Sequence, residues 1–247
     1  MNMKRTLLTI VFVTCAALGM WAQGTKPLPS LHVEGKWLVD THGNHVVLHG
    51  VMDTPSAWFN GGRWGWSYDD AGRQRCLTYF EKLYTGLEKS KCNVFRLHLE
   101  PAWTNDNSYQ YIDPNIQPKN DKGELPGGEA DITHFNPTRL TNYLKTLYFP
   151  LMQKAMNHGM YVVVRPPGVC PGTIKVGGYY QQYLLTVWDI FTKNDSIRKY
   201  SGQISIELAN EPVSVKNAQG NDDTRALHDF FQPVVDKIRA NGFTGII

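Results

Sequence analysis

The chain has 247 residues, 42% of them apolar and 19% charged, with a formal net charge of +3 at pH 7. That length and balance suit one globular domain with a sizeable core and exclude an intrinsically disordered chain. So small an excess of positive charge gives no basis for binding nucleic acid or an anionic membrane, least of all once Lys4 and Arg5 leave with a leader.

Met1 to Ala22 has the layout of a signal peptide. Lys4 and Arg5 form a basic start, Leu7 to Leu18 an apolar run, and Ala17, Gly19 and Ala22 supply small residues for cleavage. Export to the periplasm, the outer surface or the medium is the expectation. The apolar run is short for a bilayer span, and no later run is longer. Cys15 follows Phe12, Val13 and Thr14, a poor lipoprotein signal. Cys76 and Cys92 flank a predicted helix of about sixteen residues, too far apart to bridge. With Cys170 they make an odd set whose spacing fits no metal site, and they read as small apolar residues or free thiols.

Leu31 to Gly50 holds two short β runs around a turn at His42-Gly43-Asn44, then a more buried strand from Val46 to Val51. Asp53 to Arg75 is a loop crowded with Trp58, Phe59, Trp64, Trp66 and Tyr68 between Gly61, Gly62 and Gly65. Aromatic faces stack on the C–H faces of sugar rings; the same rings can instead pack under the loop as a satellite core. The position of the loop after a strand makes Trp58, Trp64 and Trp66 candidate ligand contacts.

Leu77, Phe80, Tyr84 and Leu87 lay an apolar stripe at helical spacing. In the next strand, Asn93 to Leu99, Val94, Arg96 and His98 share one face and Phe95, Leu97 and Leu99 the other. The apolar face suits packing against helices, so Arg96 points the other way, with His98 beside it as a candidate contact. A buried arginine requires a carboxylate, and Glu207 and Glu211 are its candidates; losing Arg96 from a fully buried pair would cost ~3–5 kcal/mol. Glu100 to Phe135 is too long for a connector and reads as a cleft-shaping loop with Trp103, Tyr109 and Tyr111, Trp103 being a further candidate contact. Glu100 itself, before Pro101, reads as a rim residue.

Asn136-Pro137 predicts a helix start, Pro150 a kink or division, and His158-Gly159 the helix end. Met160 to Val164 is an unbroken apolar strand of the doubly covered, parallel kind, running into Arg165-Pro166-Pro167-Gly168. Tyr183, Leu184, Val187, Trp188 and Phe191 mark another helix. Then comes Gln203 to Val213, with Ile204, Ile206 and Leu208 on one side and Ser205, Glu207 and Ala209 on the other. Pro212 ends its ladder just after Asn210 and Glu211. Leu227, Phe230, Phe231, Val234 and Ile238 mark a last helix, strained at Pro233, and Phe243 to Ile247 begins a fifth strand. Strands alternating with helices, and long loops after the strands, predict an α/β fold over residues 31–247: a (β/α)8 TIM barrel with an N-terminal hairpin.

Asn210-Glu211-Pro212 at the end of such a strand resembles the acid/base motif of clan A glycoside hydrolases. The order Gly35, Leu38, Asp40, Gly43, Val46, Leu48, Gly50 resembles the opening hairpin and first barrel strand of family 5, with His49 where that family usually has arginine. Arg96 matches the arginine that family carries near its catalytic glutamates. The resemblance implies retaining hydrolysis of a β-glycosidic bond in a polysaccharide, of endo-β-1,4-glucanase or mannanase type. Glu211 would be the acid/base, Asn210 would bond the substrate near its 2-hydroxyl, and Arg96 would hold the nucleophile ionised. That chemistry needs no metal, cofactor or protein partner.

Arg165 to Gly168 departs from the pattern, since family 5 usually has a histidine near the end of that strand. It looks like the corresponding strand of the family 35 and 42 β-galactosidases, so an exo-acting relative is one alternative. A non-catalytic carbohydrate-binding barrel is another; an exported structural or adhesin-like protein fits poorly with the inward Arg96, Glu207 and Glu211. The resemblance places the nucleophile on a seventh strand. Glu207, four residues back and ~13 Å deeper, lies below the mouth rather than across it. The expectation is therefore an N-terminal portion of a longer enzyme, inactive and unstable alone.

Overall fold

The computed structural model describes residues 28–106, 132 and 134–247. The leader and the expected contributions of Tyr109 and Tyr111 lie outside those residues. Leu31–Glu34 (β1) and Trp37–Asp40 (β2) pair antiparallel, with Glu34 opposite Trp37. The hairpin turn is therefore Gly35-Lys36, where Gly35 adopts φ +58°. The turn expected at His42 to Asn44 exists but follows the hairpin: Asp40 Oδ1 accepts from the backbone N–H of His42 (2.8 Å) and Asn44 (2.9 Å). Nor does the first sheet strand begin at Val46. The Asn93 carboxamide takes the His49 N–H (2.8 Å) and donates to the Val47 carbonyl (2.8 Å), replacing a ladder there. The strand is Gly50–Asp53 (β3).

Three further strands join β3: Val94–His98 (β4), Tyr161–Arg165 (β5) and, after the two-residue Ile174–Lys175 (β6), Ile204–Ile206 (β7). They form a parallel sheet in the order β3-β4-β5-β7. Gly50 is required where β3 meets β4, because a Cβ there would lie 1.8 Å from the Val94 carbonyl oxygen. Asp70–Lys89 (α1) connects β3 to β4, capped by the Asp69 carboxylate on the Gly72 N–H (2.7 Å). Pro101–Thr104 (α2), Pro137–Tyr143 (α3) and Phe149–Asn157 (α4) lead to β5. Tyr179–Lys193 (α5) and Asp195–Lys199 (α6) lead to β7, and Ala226–Ala240 (α7) follows Val215–Lys216 (β8).

Phe95, Leu97, Val162, Val164, Ile204 and Ile206 are buried on the helix side of the sheet. Phe80 and Tyr84 of α1 pack on Phe95 at ring distances of 6.1 and 4.9 Å. Each such side chain contributes roughly 1.5–3 kcal/mol by leaving water. This is the wall of a (β/α) barrel, four strands wide and not closed among the described residues. The expected fifth strand is a correction. Residues 243–247 form no strand, although the Ile206 N–H reaches the Ile246 carbonyl at 2.9 Å. One bond does not make a ladder. The hairpin hangs at the opposite, amino-terminal end of the sheet, where the Leu31 N–H donates to the Gly202 carbonyl (2.8 Å) and Tyr161 Oη to the Pro29 carbonyl (2.9 Å).

Two interior prolines are accommodated in the same way. Leu144–Tyr148 is a π turn between α3 and α4, which takes up the bond Pro150 cannot donate. The Thr146 carbonyl, four residues before Pro150, accepts from Arg73 Nη1 of α1 (3.3 Å). Pro233 lies inside α7, and the carbonyl four residues earlier, on Asp229, accepts from Gln181 Nε2 of α5 (3.2 Å). Gln181 also donates to the Phe230 carbonyl (2.5 Å). Cys76 lies within α1 rather than flanking it; its buried thiol is pushed up by burial, and neither it nor Cys92 or Cys170 forms a disulfide.

Two stability predictions follow from these contacts. Gln181→Leu removes the side-chain donor from two helix carbonyls in a buried seam, one of which Pro233 cannot serve, so the urea unfolding free energy should fall by about 1–3 kcal/mol. A change within error would show that those carbonyls find other partners. His158 joins α4 to α1 through both ring nitrogens, Nδ1 to Glu88 (2.7 Å) and Nε2 to Glu81 (3.0 Å). Burial lowers its pKa, but bonds to Glu88 and Glu81 outweigh it, and the net shift is upward from 6.5. Its contribution is full below 6.5 and is lost as pH rises through the higher folded-state value. The melting-point gap between wild type and His158→Gln should therefore narrow above pH 6.5; a gap independent of pH would contradict it.

Candidate active site

The polar residues of the sheet collect at the carboxyl ends of its strands. Met52, Arg96, Val163 and Ser205 form one register row, and His98 pairs with Arg165 in the next. The β5–β7 ladder runs one bond past β7, from the Glu207 N–H to the Val164 carbonyl (2.8 Å), which puts Glu207 on that second row. The Leu208 carbonyl then accepts from Trp188 Nε1 of α5 (3.2 Å). Four residues beyond Asn210, the Ser214 carbonyl takes the Ile174 N–H (2.9 Å), where β8 pairs parallel with β6. Asn210 and Glu211 thus sit on a short bridge fixed at both ends. Within it Glu211 has φ +51°, a left-handed conformation that costs a non-glycine residue roughly 1–2 kcal/mol. The Pro212 ring restricts it further. Glu211 is exposed, and no hydrogen bond or ion pair reaches its carboxylate among the described residues.

Of the two expected partners of Arg96, Glu207 takes the position and Glu211 does not. The guanidinium grips Glu207 with Nε on Oε2 (2.6 Å) and Nη2 on Oε1. Nη2 also donates to Asn210 Oδ1 (2.9 Å), and Nη1 touches Met52 Sδ (3.1 Å). An arginine has only donors, so it fixes the Asn210 amide with oxygen inward and leaves the Nδ2 donors for another acceptor. The ion pair is not fully enclosed: its side chains are 29% and 26% exposed. Loss of Arg96 should accordingly cost less than a buried pair would.

Beside this pair, on the next row toward the carboxyl ends, lies a buried set. Arg165 Nη2 meets His98 Nε2 (3.1 Å) and the Gly168 carbonyl (3.1 Å). Since Arg165 can only donate, His98 accepts at Nε2 and carries its proton on Nδ1, toward Glu100 Oε2 at 3.9 Å. Thr54 Oγ1 donates to Glu100 Oε2 (3.2 Å), and Tyr148 Oη to the Glu100 carbonyl (2.9 Å). Two expectations are corrected here. Glu100 is buried rather than on the rim, and His98, 1% exposed, is enclosed beside the site rather than open to a ligand. The parity of residues 94, 96, 98 and 100 in the sequence already puts Glu100 on the inward face. Asp53, unmarked by sequence reasoning, ends β3 with Asn60 Nδ2 on both oxygens (3.0 and 3.1 Å); burial pushes its carboxyl pKa up.

The aromatic loop divides cleanly. Trp64 and Trp103 are buried, stacked at 5.8 Å, with Nε1 on Asn60 Oδ1 (2.9 Å) and on the Pro55 carbonyl (2.7 Å) respectively. Tyr68 and Tyr143 close on Trp103 edge-first at 5.0 and 4.9 Å. These two tryptophans form the satellite core, so their candidacy as sugar-stacking rings is withdrawn. Trp58 and Trp66 are each 43% exposed and Phe59 55%. The Trp66 indole leans on Gly62 (φ +69°), where a Cβ would come within 2.8 Å of Nε1. Among the described residues no cluster of three His, Cys, Asp or Glu could hold a metal ion, and no helix is long and apolar enough to cross a membrane.

No protein-family model and no curated protein matches the sequence. Solved structures similar to it include the β-mannanase from Streptomyces thermolilacinus, 14% identical, with a TM-score of 0.46 over 87% of this chain and 52% of that one. The β-mannanase from Thermomonospora fusca is 12% identical, with a TM-score of 0.44 over 88% and 52%. The β-glucanase from Saccharophagus degradans is 14% identical, with a TM-score of 0.49 over 89% and 53%. The chain spans about half the length of these structures.

The division of the tryptophans is measurable. Trp103→Ala should destabilise the fold by ~3–5 kcal/mol in urea unfolding, whereas Trp66→Ala should stay within about 0.5 kcal/mol. Equal costs for the two would refute the assignment of one ring to the core and the other to the surface.

Proposed function

We propose that the chain carries the acid/base side of a retaining β-glycoside hydrolase of the family 5 type, acting on a β-linked glucan or mannan. The observation that carries the reading is the bridge after β7. There a glutamate projects at the carboxyl end of a parallel sheet, beside an asparagine whose oxygen is held by Arg96. Active sites of (β/α) barrels are built at that end of the strands.

Glu211 protonates the glycosidic oxygen as the C1–O bond breaks, then takes a proton from the water that completes the reaction. Asn210 Nδ2 donates to a substrate hydroxyl next to the reacting carbon. Arg96 and Glu207 act through Asn210 as positioning residues. Retaining chemistry also needs a second carboxylate about 5–5.5 Å from the first. Glu207 is engaged by Arg96 and Glu100 is enclosed, so neither is proposed for that part. Trp58, Phe59 and Trp66 are the rings available for sugar stacking, and export through the Met1 to Ala22 leader belongs to the same reading.

In a complete enzyme that supplies the second carboxylate, Glu211→Gln should lower kcat on a β-glucan or β-mannan oligosaccharide by about 10²- to 10⁴-fold, with a smaller loss on aryl glycosides that need little protonation of the leaving group. Oligosaccharide affinity should be unchanged. Undiminished turnover on the natural linkage would remove Glu211 from the acid/base role.

A further inference from the structure

A cavity of about 500 Å³ opens between the aromatic loop and α1, lined by Arg63, Trp64, Gly65, Gln74, Arg75, Thr78, Tyr79 and Lys82. Gln74, Thr78 and Lys82 recur every fourth residue, so one stripe of α1 forms its floor. Three of the lining residues are cations and none is a carboxylate. No carboxylate lies within ion-pair distance of Arg63, Arg75 or Lys82 among the described residues. Elsewhere on the same helix Arg73 meets Asp70 at 3.4 Å. Arg63 feels the Asp53 carboxylate and the Tyr79 hydroxyl, and Arg75 feels Asp69, but none of these carboxylates is within ion-pair distance.

The site is also built in advance. Arg75 Nε donates to the Trp64 carbonyl (2.8 Å) and its Nη2 to Ser67 Oγ (2.8 Å). Gly65 has φ +93°, and a Cβ there would lie 3.2 Å from Arg75 Nε, so the loop wraps closely on the guanidinium and holds it still. A volume of this size admits a sugar unit. Guanidinium forks match a carboxylate in two-point contact, and the amide and hydroxyls of Gln74, Thr78 and Tyr79 suit neutral sugar hydroxyls. The loop forming the wall is the one that exposes Trp58, Phe59 and Trp66.

We infer that this cavity binds the carboxylate of an acidic sugar, a uronate carried on the glycan. The carboxylate part stands on three cations without an ion-pair partner among the described residues; the placement of that sugar on a glycan rests on the hydrolase reading. The test is titration of the full chain with glucuronate, glucose and inorganic sulfate, followed by calorimetry or NMR. Saturable glucuronate binding that glucose does not share, weakened by salt and about tenfold weaker in Arg63→Gln or Lys82→Gln, is the expected result. Lys193→Gln, on the exposed side of α5, should leave it unchanged, as should Glu211→Gln; both variants separate this site from the hydrolytic one. Absence of saturable glucuronate binding would overturn the inference, as would binding untouched by both cation variants. Sulfate held as tightly as glucuronate would overturn it too, by showing a bare anion site.

Discussion

Arg96 and Glu207 stand on strands that do not touch. β5 lies between them, and the pair closes over its Val163, which occupies the same register row as Arg96. A residue of that size leaves the concave face open enough for two long side chains to meet across it. The consequence reaches further than the pair. Glu207 consumes two of the guanidinium's donors and sets its plane, and the remaining reach of Nη2 determines where the Asn210 oxygen must sit. The segment that leaves β7 supplies both Glu207 and Asn210, so the ion pair and the bridge constrain each other within four residues.

The rest of the wall is arranged so that this row can stay polar. The helix-facing rows take Phe95, Leu97, Val162, Val164, Ile204 and Ile206 and carry the apolar burial. The row above Arg96 is His98, Arg165 and Glu207, three polar residues that would be costly without one another. Arg165 fixes the tautomer of His98, and His98 presents its proton toward Glu100, which Thr54 also holds. Helix construction follows the same economy. Pro150 and Pro233 each remove a donor, and in each case a polar side chain from the neighbouring helix donates to the carbonyl left behind. Those substitutions tie α1 to the π turn and α5 to α7 at defined heights.

Much of this was legible in the chain. Alternation within Val94 to His98 placed Arg96 opposite the apolar face, and Asn136-Pro137 marked the start of α3. What failed had identifiable causes. The first sheet strand was displaced from Val46 to Gly50 because Asn93, distant in sequence, occupies the backbone groups of Val47 and His49. Trp64 and Trp66 could not be sorted by spacing, since a glycine-rich loop has no period; their fates depend on Asn60 and Trp103 for one and Gly62 for the other. β6 and β8, two residues each, fall below the length at which any periodicity exists.

Those two short strands bear on the chemistry more than their length suggests. A glutamate in the left-handed region, next to a proline, would relax if its flanks were free. Here the chain before it is held by the Leu208 carbonyl on Trp188 and by Asn210 on Arg96, and the chain after it by the Ser214 carbonyl on Ile174. The roughly 1–2 kcal/mol of backbone cost is offset by contacts made on either side of Glu211 and none made by its own carboxylate. A side chain needed only for packing would be stabilised by what it touches. Among the described residues Glu211 is instead placed by its flanks and makes no contact through its carboxylate, which leaves that group available for the acid/base role proposed for it.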